Sequence, residues 1–226
     1  MTDIEKNYQE LQRRIQSSLA LTGLEESDLT VVAVSKKKPL ADIETAYNLG
    51  LDNFGENFVQ EAIKKIKAFK HKTTWHFIGS IQSNKAKPIS ENFDWVHTIT
   101  RYSIAEKLDK HRPKSLPPLH VCIQIQLHQD DSRNNLPINQ LFAMATKIEK
   151  LPNLKLRGLM GMTRFGASEE ECHQSYRTME MASHTLKDNG FEIDTLSMGM
   201  SDDLEIAIHN HANMIRIGTA LFGPRQ

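Results

Sequence analysis

Two cysteines, Cys122 and Cys172, are all that 226 residues contain. That is too few for a disulfide framework, and their spacing matches no zinc motif, which predicts a reducing compartment. Long apolar runs are missing too, so nothing here is expected to span a bilayer, and residues 1–7 lack the apolar core of a secretory signal. Nor does one sign of charge dominate. Lys plus Arg equals Asp plus Glu at 28 each, which excludes a global basic field for nucleic acid or an anionic membrane. Ten histidines occur without cysteine or carboxylate pairs at ligand spacing, so no metal is expected. No Ser-His-Asp or Cys-His order stands out, and no Gly-rich nucleotide turn follows the first strand. A cytoplasmic monomer with a small-molecule ligand is the expectation.

What is present is alternation. Ile4, Tyr8, Leu11, Ile15 and Leu19 recur at helical steps over about residues 3–20. Strands are expected at 31–35, 51–55, 75–79, 95–99, 119–127, 154–160, 195–199 and 214–218. Helices fill the gaps. One is opened by Pro39 and closed by Gly50, one is interrupted at Pro88, one is capped by Ser103, and a long one over 168–188 ends at Asn189-Gly190. Strand–helix alternation predicts a parallel sheet, and eight strands predict an α/β fold of the closed (β/α)8 barrel type, residues 1–226 forming a single domain. Too few residues follow the last strand for an outer helix, so the N-terminal helix is expected to complete the ring.

The functional face of such a barrel is the C-terminal end of its strands. There the first strand runs into Ser35-Lys36-Lys37-Lys38-Pro39. A lysine at the mouth of a buried strand can form a Schiff base; the plain alternative is a solvated corner. The loops after strands seven and eight contain Gly199-Met200-Ser201-Asp202-Asp203 and Arg216-Ile217-Gly218-Thr219. Glycine amides, the hydroxyls of Ser201 and Thr219, and the charge of Arg216 suit a phosphate, provided Asp202 and Asp203 point outward. A lysine and a phosphate cup on neighbouring strands describe a pyridoxal phosphate site. Met160, Met162, Met198 and Met200 are expected to fill the barrel, and Cys122, Gln124 and Gln126 to face its lumen.

At these residues the chain resembles the pyridoxal phosphate homeostasis family, small relatives of the alanine racemase barrel. Ala33-Val34-Ser35-Lys36 with Pro39, Phe54-Gly55-Glu56-Asn57 with Gln60-Glu61, and His76-Phe77-Ile78-Gly79 with Gln82 and Asn84-Lys85 carry the likeness. Gly158-Leu159-Met160, Gly199-Met200-Ser201-Asp202 and Arg216-Ile217-Gly218-Thr219 with Phe222-Gly223 complete it. The resemblance implies the fold-type III barrel and pyridoxal 5'-phosphate as cofactor, covalent on Lys36, which leaves Lys37 and Lys38 as surface charges. It also implies phosphate binding by Ser201, Arg216, Gly218 and Thr219, with Asn57 near the ring. Ser132-Arg133-Asn134-Asn135 departs from the family's Ser-Lys-x-Gly turn.

The implied role is vitamin B6 homeostasis, holding the cofactor and handing it to apo-enzymes without strong catalysis. A racemase-like enzyme is the alternative, and a Schiff-base aldolase a third. Racemases of the related barrel add a second domain and a tyrosine acid/base. Tyr8, Tyr47, Tyr102 and Tyr176 all fall on expected outer helices, so no catalytic residue is assigned.

Overall fold

The structure, a computed structural model, describes residues 2–128 and 135–224. Residues 132–134 of the departing turn lie outside the described residues. The sequence of elements is α1 (Asp3–Leu19), β1 (Thr30–Val34), α2 (Leu40–Asn48), β2 (Asn53–Glu56), α3 (Val59–Ala68) and β3 (Thr74–Phe77). Then come α4 (Ala86–Asn92), β4 (Trp95–Ile99), α5 (Tyr102–His111), β5 (Leu119–Gln124), α6 (Leu141–Ile148) and β6 (Leu154–Met160). Helix α7 (Glu169–Asp188), β7 (Thr195–Ser197), α8 (Leu204–His209), β8 (Met214–Ile217) and α9 (Thr219–Phe222) complete the order.

All eight strands pair in parallel and in chain order, and β8 returns to β1 through Val32↔Arg216 and Ala33↔Ile217. This is the expected closed (β/α)8 barrel. Helix α9 is a single turn, and α1 packs against α2, α8 and α9 to complete the outer ring. Thr2 and Glu5 form a capping box that starts α1. Asn7 then holds the carbonyl of Leu221, and Arg14 forks onto Glu205.

Side chains alternate along the strands, with register shifts in β4 and β6, so one set packs beneath the helices and the other fills the lumen. Phe54, Ile99, Val121 and Ile123 belong to the outer layer with Leu11, Ile43 and Leu108. Val32, Trp95, Cys122, Met160 and Met214 form the apolar part of the lumen, with Met162 against it. Met198, expected inside the barrel, lies in the outer layer instead.

Two local expectations are corrected. Pro88 does not interrupt a helix. It sits in the first turn of α4, where a backbone N–H has no intrahelical partner to lose. Ser103 does not cap α5, which begins one residue earlier with Arg101 at the cap position and no side-chain cap bond. Among the described residues no helix is long and apolar enough to cross a membrane.

Candidate functional site

Strand β1 delivers the chain to a turn at Ser35–Lys37. Polar partners hold both flanks of Lys36 in place, Glu56 and Lys65 buried and Glu61 half-buried. Lys65 Nζ, on α3, donates to Ser35 O at 2.7 Å, Glu56 Oε1 at 2.7 Å and Glu61 Oε1 at 2.6 Å. Ser35 Oγ donates to Glu56 Oε1 at 2.6 Å, and the amide of Lys37 donates to Glu61 Oε1 at 2.6 Å. Lys37 adopts φ 60°, the left-handed conformation that a turn this tight requires. Glu56 is fully buried, and burial pushes its carboxyl up against the pull of Lys65 and Ser35.

Lys36 itself is half-buried, more open than a buried nucleophile. Lys37 is exposed as expected. Lys38 is no ordinary surface charge, because its ammonium bridges the carbonyls of Phe222 (2.7 Å) and Pro224 (3.3 Å) and ties this turn to the segment after β8. Nothing in the run of three lysines distinguishes those roles. Only the residues around them do.

Across the β1–β8 seam lie the loops after β7 and β8. The Ala220 amide donates to Ser201 Oγ at 3.0 Å, joining the two loops. Ser201 therefore accepts from the protein and keeps its hydroxyl hydrogen for another acceptor. Arg14 of α1 holds the Ser201 carbonyl at 2.9 Å, so the outer ring supports the rim. A Cβ on Gly199 would come within 2.6 Å of Ala207 Cβ, and its φ of 91° needs glycine as well. Gly218 has no such reason to be glycine. Its nearest neighbour to an added Cβ would be Val34 Cβ at 3.6 Å, so the missing side chain leaves open space beside the end of β1. Thr219 is exposed at the same rim.

Asp202 points to solvent, but Asp203 does not point outward. It is buried, accepts the amide of Met200 on Oδ1, and takes bonds from Thr163 Oγ1 (2.8 Å) and Tyr176 OH (2.5 Å) on Oδ2. The carboxylate thus faces back into the protein and shapes the turn that presents Ser201. Burial and Asp203 together push the Tyr176 phenol up, away from any acid/base role.

Arg216 separates from the rim residues with which it was grouped. It is 3% exposed, and its guanidinium donates to Ser197 Oγ (2.8 Å) and Gly161 O (2.9 Å), over the barrel interior beside β6 and β7. Beneath it His97 Nδ1 meets Ser197 Oγ at 2.8 Å, and His97 Nε2 meets His76 Nδ1 at 2.9 Å. His76 Nε2 meets Asn53 Oδ1 at 2.9 Å. Burial, with His120 nearby, pulls His76 down to about 3, and burial with His76 and Arg216 pulls His97 well below its usual value.

A depressed folded-state pKa stabilises the protein above the unfolded value of 6.5 and withdraws that stability as pH falls. Acidification from about pH 8 to about pH 5 should cost about 2 kcal/mol through His76 alone, at about 1.4 kcal/mol per unit once the unfolded ring is protonated. Urea unfolding across that range checks it, and His76→Asn should flatten the slope. A stability that stays level in the wild type would refute it.

Asn57 is half-buried, and its Oδ1 is buried without a protein partner. Its backbone oxygen would lie 2.2 Å from a Cβ on Gly79, so Gly79 is glycine to let this segment pass. Tyr8, Tyr47 and Tyr102 sit on α1, α2 and α5. Gln12 bonds the first, His71 stacks on the second at 4.4 Å, and Lys147 lies over the third at 5.4 Å. His211 Nε2 lies 3.5 Å from Glu180 Oε1.

The chain matches the family model described as alanine racemase, N-terminal domain, over residues 2–226. It is 42% identical over 226 residues to the pyridoxal phosphate homeostasis protein of Pseudomonas aeruginosa, covering 100% of this chain and 97% of that one. The protein of the same name from Escherichia coli is 42% identical over 232 residues, covering 100% and 98%. The chain belongs to the pyridoxal phosphate homeostasis family. Among solved structures, PipY of Synechococcus elongatus with pyridoxal phosphate bound matches with a TM-score of 0.83 and 33% identity, over 93% of this chain and 99% of that one. An alanine racemase of Clostridium difficile shares the fold alone, with a TM-score of 0.80, 16% identity, and 99% and 60% coverage.

The family's cofactor can be tested against the side chains present. A lysine in a clamped turn, a hydroxyl hydrogen at Ser201 and open space at Gly218 fit a phosphate-bearing aldehyde, and the unpartnered buried oxygen on Asn57 could accept from a hydroxyl on its ring. The Glu56–Glu61–Lys65 clamp and the interior histidines were not assigned roles from sequence. Their signal was faint. Glu56, Glu61 and His76 occur in the family segments, whereas Lys65 looks like one more lysine on a helix.

Proposed function

We propose that this protein binds pyridoxal 5'-phosphate, covalently through Lys36, and serves to hold the cofactor and pass it to apo-enzymes. The observation that carries the reading is the meeting of two built features across one seam. The clamped Lys36 turn ends β1, and the Ser201–Ala220 rim follows β7 and β8. When bound, pyridoxal phosphate supplies an aldehyde for an amine and a phosphate that needs donors. Lys36 is the amine. Ser201, Gly218 and Thr219 form the phosphate rim, Asn57 lies near the ring, and Arg216 carries positive charge at the floor of the mouth.

Among the described residues, neither the tyrosines nor His76 and His97 offer a second acid/base for racemisation. The Tyr176 hydroxyl is committed to Asp203, the other three tyrosines lie on the outer ring, and both ring nitrogens of His76 and of His97 are already bonded. Carrier activity follows from what remains, which is a tether and a cup. Loaded protein mixed with an apo-form of a pyridoxal phosphate enzyme should restore that enzyme's activity faster than the free cofactor released on dilution. Alanine and other amino acids should not be turned over. Racemisation lost in Lys36→Ala would overturn the carrier role, and protein that stays colourless with excess pyridoxal phosphate would overturn the binding itself.

A further inference from the structure

We propose that Arg216 is aimed from behind by a one-way hydrogen-bond chain across the barrel interior, with Ser197, His97, His76 and Asn53 as its positioning residues. The ends of the chain settle its direction. At one end the guanidinium has only donors, so Arg216 Nη1 donates to Ser197 Oγ. At the other, Asn53 Nδ2 donates to Asp52 Oδ1 at 2.7 Å, a carboxylate that only accepts. This leaves Asn53 Oδ1 as the atom facing His76, so His76 Nε2 carries the hydrogen. His76 Nδ1 is then a lone pair and takes the Nε2 hydrogen of His97. His97 Nδ1, the remaining acceptor, takes the Ser197 hydroxyl hydrogen. The opposite order would place the Asn53 amide oxygen against the Asp52 carboxylate.

The chain therefore crosses from β8 through β7, β4 and β3 to β2 with one hydrogen per link. His76 and His97 are both fully buried, and burial disfavours the charged form of each. A proton added at His76 Nδ1 would set two N–H groups face to face, and one added at His97 Nδ1 would meet the hydroxyl hydrogen of Ser197, whose oxygen already accepts from Arg216. The surroundings press the same way. Arg216 lies on one side of His97, and Trp95 stacks between His76 (5.6 Å) and His120 (4.8 Å), with Arg157 over its ring at 4.9 Å. Cys122, which burial pushes up to about 12, adds no negative charge. With Gly161 O holding its second nitrogen, Arg216 presents a fixed cation to whatever fills the mouth.

The chain itself is independent of the ligand, but the effect on binding rests on the pyridoxal phosphate reading. In the unloaded protein, nitrogen-15 NMR of the histidine rings should show His76 and His97 as Nε2–H tautomers that do not titrate between about pH 8 and about pH 5. An Nδ1–H tautomer at either ring, or titration near the ordinary value, overturns the chain. Titration with pyridoxal phosphate adds the second arm. His97→Leu should raise the dissociation constant about tenfold, and His97→Gln, whose amide oxygen and nitrogen replace the ring acceptor and donor, should recover most of it. No loss in His97→Leu, or equal losses in both, overturns the positioning role. If the wild type binds no pyridoxal phosphate, the functional reading falls while the tautomers still decide the chain.

Discussion

Alanine in place of Lys36 is expected to remove the covalent link to pyridoxal phosphate entirely, with the barrel intact. The reason lies in the turn. Ser35 is held by Lys65 and Glu56, and the Lys37 amide is held by Glu61. Lys36 is therefore presented at the mouth in one backbone conformation. Lys37 follows with φ at 60° and is exposed, and the Lys38 ammonium is engaged by Phe222 and Pro224. Neither neighbour can substitute without unmaking those bonds. Because Lys36 is half-buried in a turn, its truncation should change stability by no more than about 0.5 kcal/mol. The check is borohydride reduction followed by peptide mapping. The wild type, Lys37→Ala and Lys38→Ala should be labelled on Lys36, and Lys36→Ala should carry no label. Full labelling of Lys37 or Lys38 in the Lys36→Ala protein would sink the assignment. Some non-covalent retention should survive in that variant, because the rim at Ser201 and Thr219 is untouched.

Lys65→Met is expected to be the most destabilising single change at the mouth, at about 3–5 kcal/mol. Lys65 is the hub of the clamp, with three acceptors within 2.7 Å, and its partner Glu56 has no exposed surface. Removing the ammonium leaves a carboxylate that water cannot reach, and Glu56 must either remain charged at high cost or take up a proton. The sign is testable. With its counter-charge gone, Glu56 should titrate still higher, so Lys65→Met should regain stability as pH is lowered into the range where Glu56 protonates. The control is Glu56→Gln in the Lys65→Met background, which removes the buried charge and should recover part of the loss. Urea unfolding measures both. A loss below about 1 kcal/mol, the size of an exposed ion pair, would mean that the clamp is solvated and does not hold the lysine turn. Exposed pairs such as Lys87–Glu91 supply that comparison in the same molecule.

The barrel was legible because its signals are local. Apolar residues at helical steps placed α1, the apolar run 31–34 placed β1, and Asn189-Gly190 placed the end of α7. Each element buries one face whatever its neighbours, so periodicity reports it directly. Eight strands in alternation then left a closed parallel barrel, and barrel geometry alone pointed to the strand ends where Lys36, Asn57, Ser201, Gly218 and Thr219 lie. The small errors were local too. Pro88 was misplaced because the sequence does not show where a helix's first turn begins, and Ser103 because a good capping residue can stand one position inside the helix.

Side-chain partnership was not legible, because it depends on how the barrel closes. His97 and Ser197 stand 100 residues apart, and Ser201 meets Ala220 only because β7 and β8 are neighbours. Asp203 looked like a charge that must turn to solvent, until Thr163, Tyr176 and the Met200 amide supplied it with donors. Lys65 sits in a lysine-rich helix turn, and burial alone distinguishes it. By itself the sequence determined an eight-stranded barrel with an amine at the first strand's exit and a glycine-bearing rim at the last two. Tertiary structure decided which charges are buried, which partners neutralise them, and that Arg216 faces the interior. Hydrophobic burial is written residue by residue, whereas a buried polar group is stable only if the closed fold brings its partner within about 3 Å.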